Sequence, residues 1–340
     1  MAPKKILVTG GAGYIGSHTI IELLEAGYEV VSVDNFSHGS KKAFDRIQKI
    51  TGVKVRNYTV DLTDGKKTEA IFKKEKSFAG IIHFAAFKSV GESVADPYKY
   101  FKNNVGSLLA IIACAEKYKV PSLVFSSSCS VYGNVKKLPV SETTPLGAVE
   151  SPYARTKQMG EMMFEDMAKG KGGTKSLALR YFNPAGAHVS GLLGELPSGR
   201  PDNLVPVITE TGIGKRPSMT VFGTDYKTRD GSAVRDYVHV SDIARAHVLA
   251  LETLAKKNAK KYDVINLGTG KGVTVLEMIK TFEKVSGKKL NYTIGPRRGG
   301  DIEAVYSDTR KARKVLGWKP KYSLVEMMAS AWKWQQNLDK

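Results

Sequence analysis

Through the first half of the chain, short apolar runs alternate with longer stretches whose apolar positions recur every three to four residues. The runs "KILVTG", "EVVSVD", "KVRNYTVD", "GIIHFAA", "SLVFSSS" and "SLALRYF" are rich in β-branched and aromatic residues and predict strands. Between them, "SHTIIELLEAG" and "YFKNNVGSLLAIIACAEKYK" read as amphipathic helices. Near-continuous apolar strands separated by helices need cover on both faces, so the pattern predicts an α/β fold built on a doubly wound parallel sheet. From about residue 183 the alternation gives way to loops rich in Gly and Pro, followed by "DYVHVSDIARAHVLALETL" and "YDVINLG". We expect a first domain over residues 1–182 and a smaller α/β lobe over 183–340, with some of its segments returning to the first sheet.

Composition narrows the class without naming a function. The 340 residues are 42% hydrophobic and 25% charged, which suits a soluble globular protein with a sizeable core. No apolar run approaches the roughly 20 residues that span a bilayer. The start "MAPKKILVTGG" passes from lysines straight into a strand, so we expect no signal peptide and a cytoplasmic protein. Two cysteines, Cys114 and Cys129, give no disulfide framework, and the six histidines lack metal-ligand spacing, so no metal is expected. The net charge is +19, but its "KK" pairs are scattered and lack interleaved aromatics. We expect a solvated surface and neither a nucleic-acid nor a membrane partner.

The chemistry begins at "ILVTGGAGYIGSHTIIELL", where Gly10, Gly13 and Gly16 follow the first predicted strand and open a helix. This G-x-x-G-x-x-G turn lets backbone approach a pyrophosphate and aims helix N-terminal amides at it. Asp34 ends the second strand, where a carboxylate accepts from adenosine ribose hydroxyls and repels a 2′-phosphate. A Rossmann-type site for NAD, rather than NADP, is expected. Asp61, in "VDLTD", reads as a helix cap or as a residue facing the adenine.

In "SPYARTKQMGEMMFEDM", Ser151 suits an N-cap and Pro152 a first helical position. Four residues of helix turn about 400°, so Tyr153 and Lys157 share a face. Alone, such a pair is ordinary surface packing. Here "SLVFSSS" ends at Ser128, at the carboxyl edge where doubly wound sheets bind ligands. A hydroxyl, a phenol and an ammonium are the parts needed to move a proton on an alcohol. A tyrosine titrates near 10, so neutral-pH work needs its pKa lowered by about 3 units, and neighbouring positive charge acts in that direction.

The motifs TGGAGYIG, SSSxSVYG, SPYxxxK, "LRYFNPAGAH" and "DGSAVRDYVHV" together resemble the extended short-chain dehydrogenase/reductase family, within it the branch that epimerises UDP-glucose at C4. The resemblance covers essentially the whole chain. It implies an NAD-binding first domain, a UDP-sugar-binding lobe, and reversible interconversion of UDP-glucose and UDP-galactose through a 4-keto intermediate. Tyr153 is then the base, Lys157 binds nicotinamide ribose and depresses the tyrosine's pKa, and Ser128 bonds the sugar hydroxyl. NAD contacts fall on Tyr14, Ile15, Asp34 and Asn35 with the loop after them, Asp61, Leu62, Phe84, Ala85, Ala86, Phe87, Lys88, Asn104 and Phe182. The UDP-hexose falls on Lys88, Asn183, Asn203, Leu204, Thr220, Val221, Phe222, Arg235, Arg298 and Asp301, with Val305 beside the sugar C2 substituent.

A small residue at Val305 widens that pocket, so N-acetylated UDP-hexoses are expected substrates as well. A homodimer is expected, with apolar positions Leu108, Ile111, Ile112, Met159, Met163 and Met167 facing between subunits. Another nucleotide-sugar epimerase, or a 4,6-dehydratase, is the alternative; the latter needs an Asp-Glu pair after the active-strand hydroxyl, where this chain has Cys129 and Ser130.

Overall fold

The computed structural model describes residues 3–197, 199, 201–298 and 302–338. The expected alternation runs β1 (Lys5–Thr9), α1 (Tyr14–Glu25), β2 (Glu29–Val33), α2 (Lys42–Thr51), β3 (Arg56–Tyr58), α3 (Gly65–Glu75) and β4 (Gly80–His83). It continues with α4 (Val90–Ala95), α5 (Pro97–Tyr100), a wide π-type turn over Phe101–Val105, α6 (Gly106–Lys117), β5 (Ser122–Ser128), α7 (Pro152–Lys169) and β6 (Lys175–Tyr181). The second half comprises β7 (Asn183–Ala185), α8 (Leu204–Ile213), β8 (Met219–Phe222), β9 (Val234–Arg235), β10 (Tyr237–His239) and α9 (Val240–Leu254). It ends with β11 (Tyr262–Leu267), β12 (Val273–Thr274), α10 (Val275–Ser286), β13 (Tyr292–Gly295), α11 (Arg310–Leu316) and α12 (Leu324–Leu338).

Seven strands form one sheet in the order β11-β6-β5-β4-β1-β2-β3, with every pairing parallel. The order reverses between β1 and β4, and a doubly wound sheet opens its ligand crevice at such a point. Alternation along β1 feeds both faces. Ile6 and Val8 join Ile20, Leu23, Val124, Leu251 and Trp318 on one side, while Leu7 joins Ile81, Phe72, Leu108, Ile111, Leu123 and Phe164 on the other. A third core, with Ile208, Met219, Met278, Phe282 and Trp332, holds the second lobe.

Two segments of the second half return to this sheet. The run "YDVINLG" becomes β11, pairing with β6, and α9 packs on the α1 face. We keep 182/183 as the proposed lobe boundary, with α9 and β11 as the returning segments. The expected dimer face needs one correction. Leu108 and Ile111 are 1% and 0% exposed, because α6 turns them onto the sheet. Leu109 and Met162, 51% and 57% exposed, point outward from α6 and α7 instead.

Candidate active site

Helix α7 starts as its sequence reads: Ser151 Oγ accepts from Ala154 N at 3.2 Å and Pro152 is the first helical residue. Gly160 lets the helix lie close on the sheet, since a Cβ there would come within 2.6 Å of Phe125. That approach brings three residues of α7, spaced by four, to three successive residues of β5. Lys157 Nζ donates to Ser126 O at 2.6 Å, and Ser127 Oγ donates to Glu161 Oε1 at 2.5 Å. Ser128 lies beside Tyr153. Below them, Arg180 donates to Glu161 and, at 2.8 Å, to Tyr132 Oη, which donates to Asn266 Oδ1 at 2.7 Å. Glu161 and Arg180 are buried, so this ion pair is completed by hydrogen bonds rather than by water.

Burial dominates the titration of the pair above. It pushes the Tyr153 phenol up to about 12, with the Ser128 side chain pulling the other way. It pulls the Lys157 ammonium down to about 7, opposed by the Glu161 charge one turn away. Lys157 also lies 5.8 Å from the Tyr153 ring centroid. The phenol is thus a stronger proton holder than free tyrosine until positive charge is placed beside it.

These groups line a cleft of about 450 Å³ at the carboxyl edge of the sheet. Of the residues expected from sequence, the cleft gathers Gly10, Gly13, Tyr14, Ile15, Gly16, Asp34, Asn35, Asp61, Leu62, Phe84, Ala85, Ala86, Lys88, Ser128, Tyr153, Lys157, Phe182, Asn183 and Asn203. The glycine turn fits a dinucleotide. Gly10 holds φ +72, and a Cβ there would meet Ala85 N at 2.9 Å; one on Gly16 would lie 2.2 Å from Gly10 O. Asp34 accepts from Ala12 N at 2.9 Å and Phe36 N at 2.8 Å, which fixes the carboxylate at the end of β2. Burial raises its pKa, and those two N–H bonds oppose the shift. Asp61 accepts from Thr63, leaving the cap of α3 to Asp64.

Other expected residues lie elsewhere. Asn104 pins Phe87, accepting from its N at 2.8 Å and donating to its O at 3.0 Å, so it shapes the cleft from behind. Leu204 opens α8, and Thr220–Phe222 lie in β8, paired with β13. Arg298 stacks 5.7 Å from the Phe222 ring. Arg235 donates to Val234 O and Ile302 O. Val305 is buried in a small cluster with Val131, Tyr132, Val140 and Phe182. Asp301 lies outside the described residues.

Sequence reading missed several lining residues, among them Asn103, Ser130 and Glu195. Ser130 Oγ lies 3.0 Å from Ser128 Oγ, and His38 meets the Phe87 ring edge-on at 4.8 Å. Glu195 accepts from Lys88 Nζ at 2.9 Å and Asn203 Nδ2 at 2.7 Å, joining the two halves of the chain. Nothing in the pattern of "LLGELPSG" marks that role; only its one carboxylate in an apolar loop was a signal.

The model of the NAD dependent epimerase/dehydratase family matches residues 6–268. The UDP-glucose 4-epimerase of Bacillus subtilis (strain 168) is 48% identical over 332 residues, 98% of this chain and 97% of that protein. The crystal structure of UDP-glucose 4-epimerase from Bifidobacterium longum in complex with NAD+ and UDP superposes with TM-score 0.93 at 45% identity, covering 98% of both chains. The UDP-Glc/GlcNAc 4-epimerase of Campylobacter jejuni superposes with TM-score 0.85 at 39% identity, over 98% of this chain and 99% of that one. Matched by the family's own model and by relatives over nearly its whole length, the chain belongs to the NAD dependent epimerase/dehydratase family, on its UDP-glucose 4-epimerase branch.

Proposed function

We propose that the protein interconverts UDP-glucose and UDP-galactose, using NAD, with Tyr153, Lys157 and Ser128 as its catalytic residues. The observation that supports this most is the meeting of those three side chains with the glycine turn and Asp34 in one cleft. The glycine turn from Gly10 to Gly16 and Asp34 would hold the cofactor, which would supply reversible hydride exchange at the sugar C4. Tyr153 takes the proton of the C4 hydroxyl and returns it when the hydroxyl re-forms, so the reaction closes with no net redox change. Burial holds the phenol at about 12, and Lys157, one helical turn away, is the positive charge proposed to draw it down during turnover. Ser128 aligns the hydroxyl with the phenol, and Ser130 in turn orients Ser128.

Asn183, Asn203 and Lys88 are proposed for the UDP-sugar, with Phe222 and Arg298 as a stacking pair for the nucleotide. A tether through UDP leaves the hexose free to present either face. The Glc/GlcNAc enzyme of Campylobacter jejuni among the relatives supports N-acetylated substrates as well; Val305 would act from the cluster behind Phe182, which lines the cleft. Exposed Leu109 and Met162 support a homodimer through α6 and α7. Two free cysteines fit the reducing cytoplasm, and no described helix is long and apolar enough to cross a membrane. Incubation with UDP-galactose and a coupled assay for UDP-glucose tests the reading; purified enzyme that carries NAD yet converts none would reject it.

A further inference from the structure

A parallel sheet sends the start of every strand to one edge, opposite the ligand crevice. The lysines gather there. The segments feeding the seven strands are residues 3–5, 25–29, 51–56, 73–80, 116–122, 165–175 and 252–262. They hold 15 Lys and one Arg against 7 Asp and Glu, so 51 of the 340 residues carry nine of the nineteen net positive charges. All of these cations are exposed except Lys5 and Lys175, which are half-buried.

Part of this charge has a local reason. Lys73, Lys74, Lys117 and Lys169 sit in last helical turns, where cations complement the helix dipole. Arg56 is bonded to Glu75, and Lys117 to Glu69. The remainder lies beyond the helices. Among the described residues, no carboxylate comes within salt-bridge distance of Lys54, Lys76, Lys119, Lys171, Lys256 or Lys257. Two loops are also stitched together at this edge. Lys175 Nζ donates to Lys256 O at 2.8 Å and Lys261 Nζ to Gly170 O at 3.0 Å, which ties the loop carrying Lys171 to the loop carrying Lys256 and Lys257.

Against the expectation of no membrane partner, which rests on the scatter of the lysine pairs along the sequence, we propose that this edge, where the fold gathers them, is an interaction surface for an anionic lipid bilayer, held by electrostatics alone. Seven strands at about 4.8 Å spacing make it roughly 30 Å wide. Such a broad, loop-built end offers no helix or ribbon to enter a nucleic-acid groove. Its cations are nearly all Lys, point charges suited to a diffuse lipid field, whereas nucleic-acid readout favours the Arg fork. Its tyrosines, Tyr28, Tyr118 and Tyr262, are only partly exposed and form no stacking platform. Docked this way, the protein turns its catalytic cleft to the solution.

The test is co-sedimentation of the full-length protein with vesicles of phosphatidylcholine containing 30% phosphatidylserine, at 50 mM and 300 mM salt. We expect binding at low salt, at least a tenfold loss at high salt, and none to pure phosphatidylcholine. The combined substitution Lys119→Glu, Lys171→Glu, Lys256→Glu and Lys257→Glu should lower binding at least tenfold with turnover unchanged. The charge-matched set Lys136→Glu, Lys137→Glu, Lys280→Glu and Lys284→Glu, off this edge, should stay within twofold of wild type. Should reversal impair folding, the same four edge lysines changed to Gln must still show the loss. No binding by wild type, binding insensitive to salt, or equal loss in both sets would overturn the proposal. Edge-dependent binding to duplex DNA without binding to vesicles would overturn it too.

Discussion

Lys157 donates to the carbonyl oxygen of Ser126 at 2.6 Å, from a site only 4% exposed to solvent. A lone backbone carbonyl does not repay the burial of an ammonium, which is why the group is pulled from 10.5 to about 7. The unfolded chain keeps the higher value and binds the extra proton. The penalty is therefore full below pH ~7, fades as pH rises toward 10.5, and is gone above it.

Lys157→Met should accordingly raise Tm, by ~2 °C or more at pH 6 and by much less near pH 10.5. It should lower turnover and move the onset of activity to higher pH, because Tyr153 loses its nearby positive charge. Scanning calorimetry across pH, with pH–rate profiles, checks both; an unchanged profile would make the pair merely structural.

Tyr153→Phe removes one oxygen at the reacting centre. We expect turnover to fall by ~10²–10⁴-fold, with UDP affinity close to wild type. Steady-state rates with a UDP titration separate the two effects.

Glu161→Gln strips the partner from buried Arg180 and should cost ~3–5 kcal/mol. Adding Arg180→Met removes the orphaned charge and should restore part of the loss. A denaturant double-mutant cycle reads the coupling; additive losses would show that the two side chains act independently.

Protein purified without added NAD should release it on denaturation. Gly16→Ala should abolish that, since its Cβ would lie 2.2 Å from Gly10 O. Absorbance and enzymatic assay of the supernatant decide the matter. Nucleotide-free wild-type protein that ignores added NAD would contradict the cofactor assignment.

Wild type should epimerise UDP-N-acetylglucosamine as well as UDP-glucose. Val305→Tyr should remove the first activity and spare the second. Because Val305 packs against Phe182 and Tyr132, some loss of stability is expected as well. Absence of turnover on the N-acetyl sugar, where UDP-galactose reacts readily, would reject the wide pocket.

Much of the fold was legible because local and global preferences agree. β-branched runs became the six expected strands, and Ser151-Pro152 opened α7 as such a pair should. The cleft residues on strand ends and in the glycine turn were legible for the same reason. Periodicity failed where it is blind. It shows that α6 is apolar but not which side meets the sheet, so Leu108 and Ile111 were assigned outward while Leu109 holds the surface. Glu195 sits in a loop whose meeting with Lys88 depends on how the two halves close together.

Pairing of β11 with β6 also orders events during synthesis. Until Tyr262–Leu267 leaves the ribosome, β6 is an outer strand with one row of amides and carbonyls unpaired, the kind of edge that recruits other chains. The intervening residues 182–261 must all emerge before that edge is sealed. A nascent chain halted in this interval carries the glycine turn and the Ser128–Tyr153–Lys157 group, yet leaves the open side of β6 unpaired.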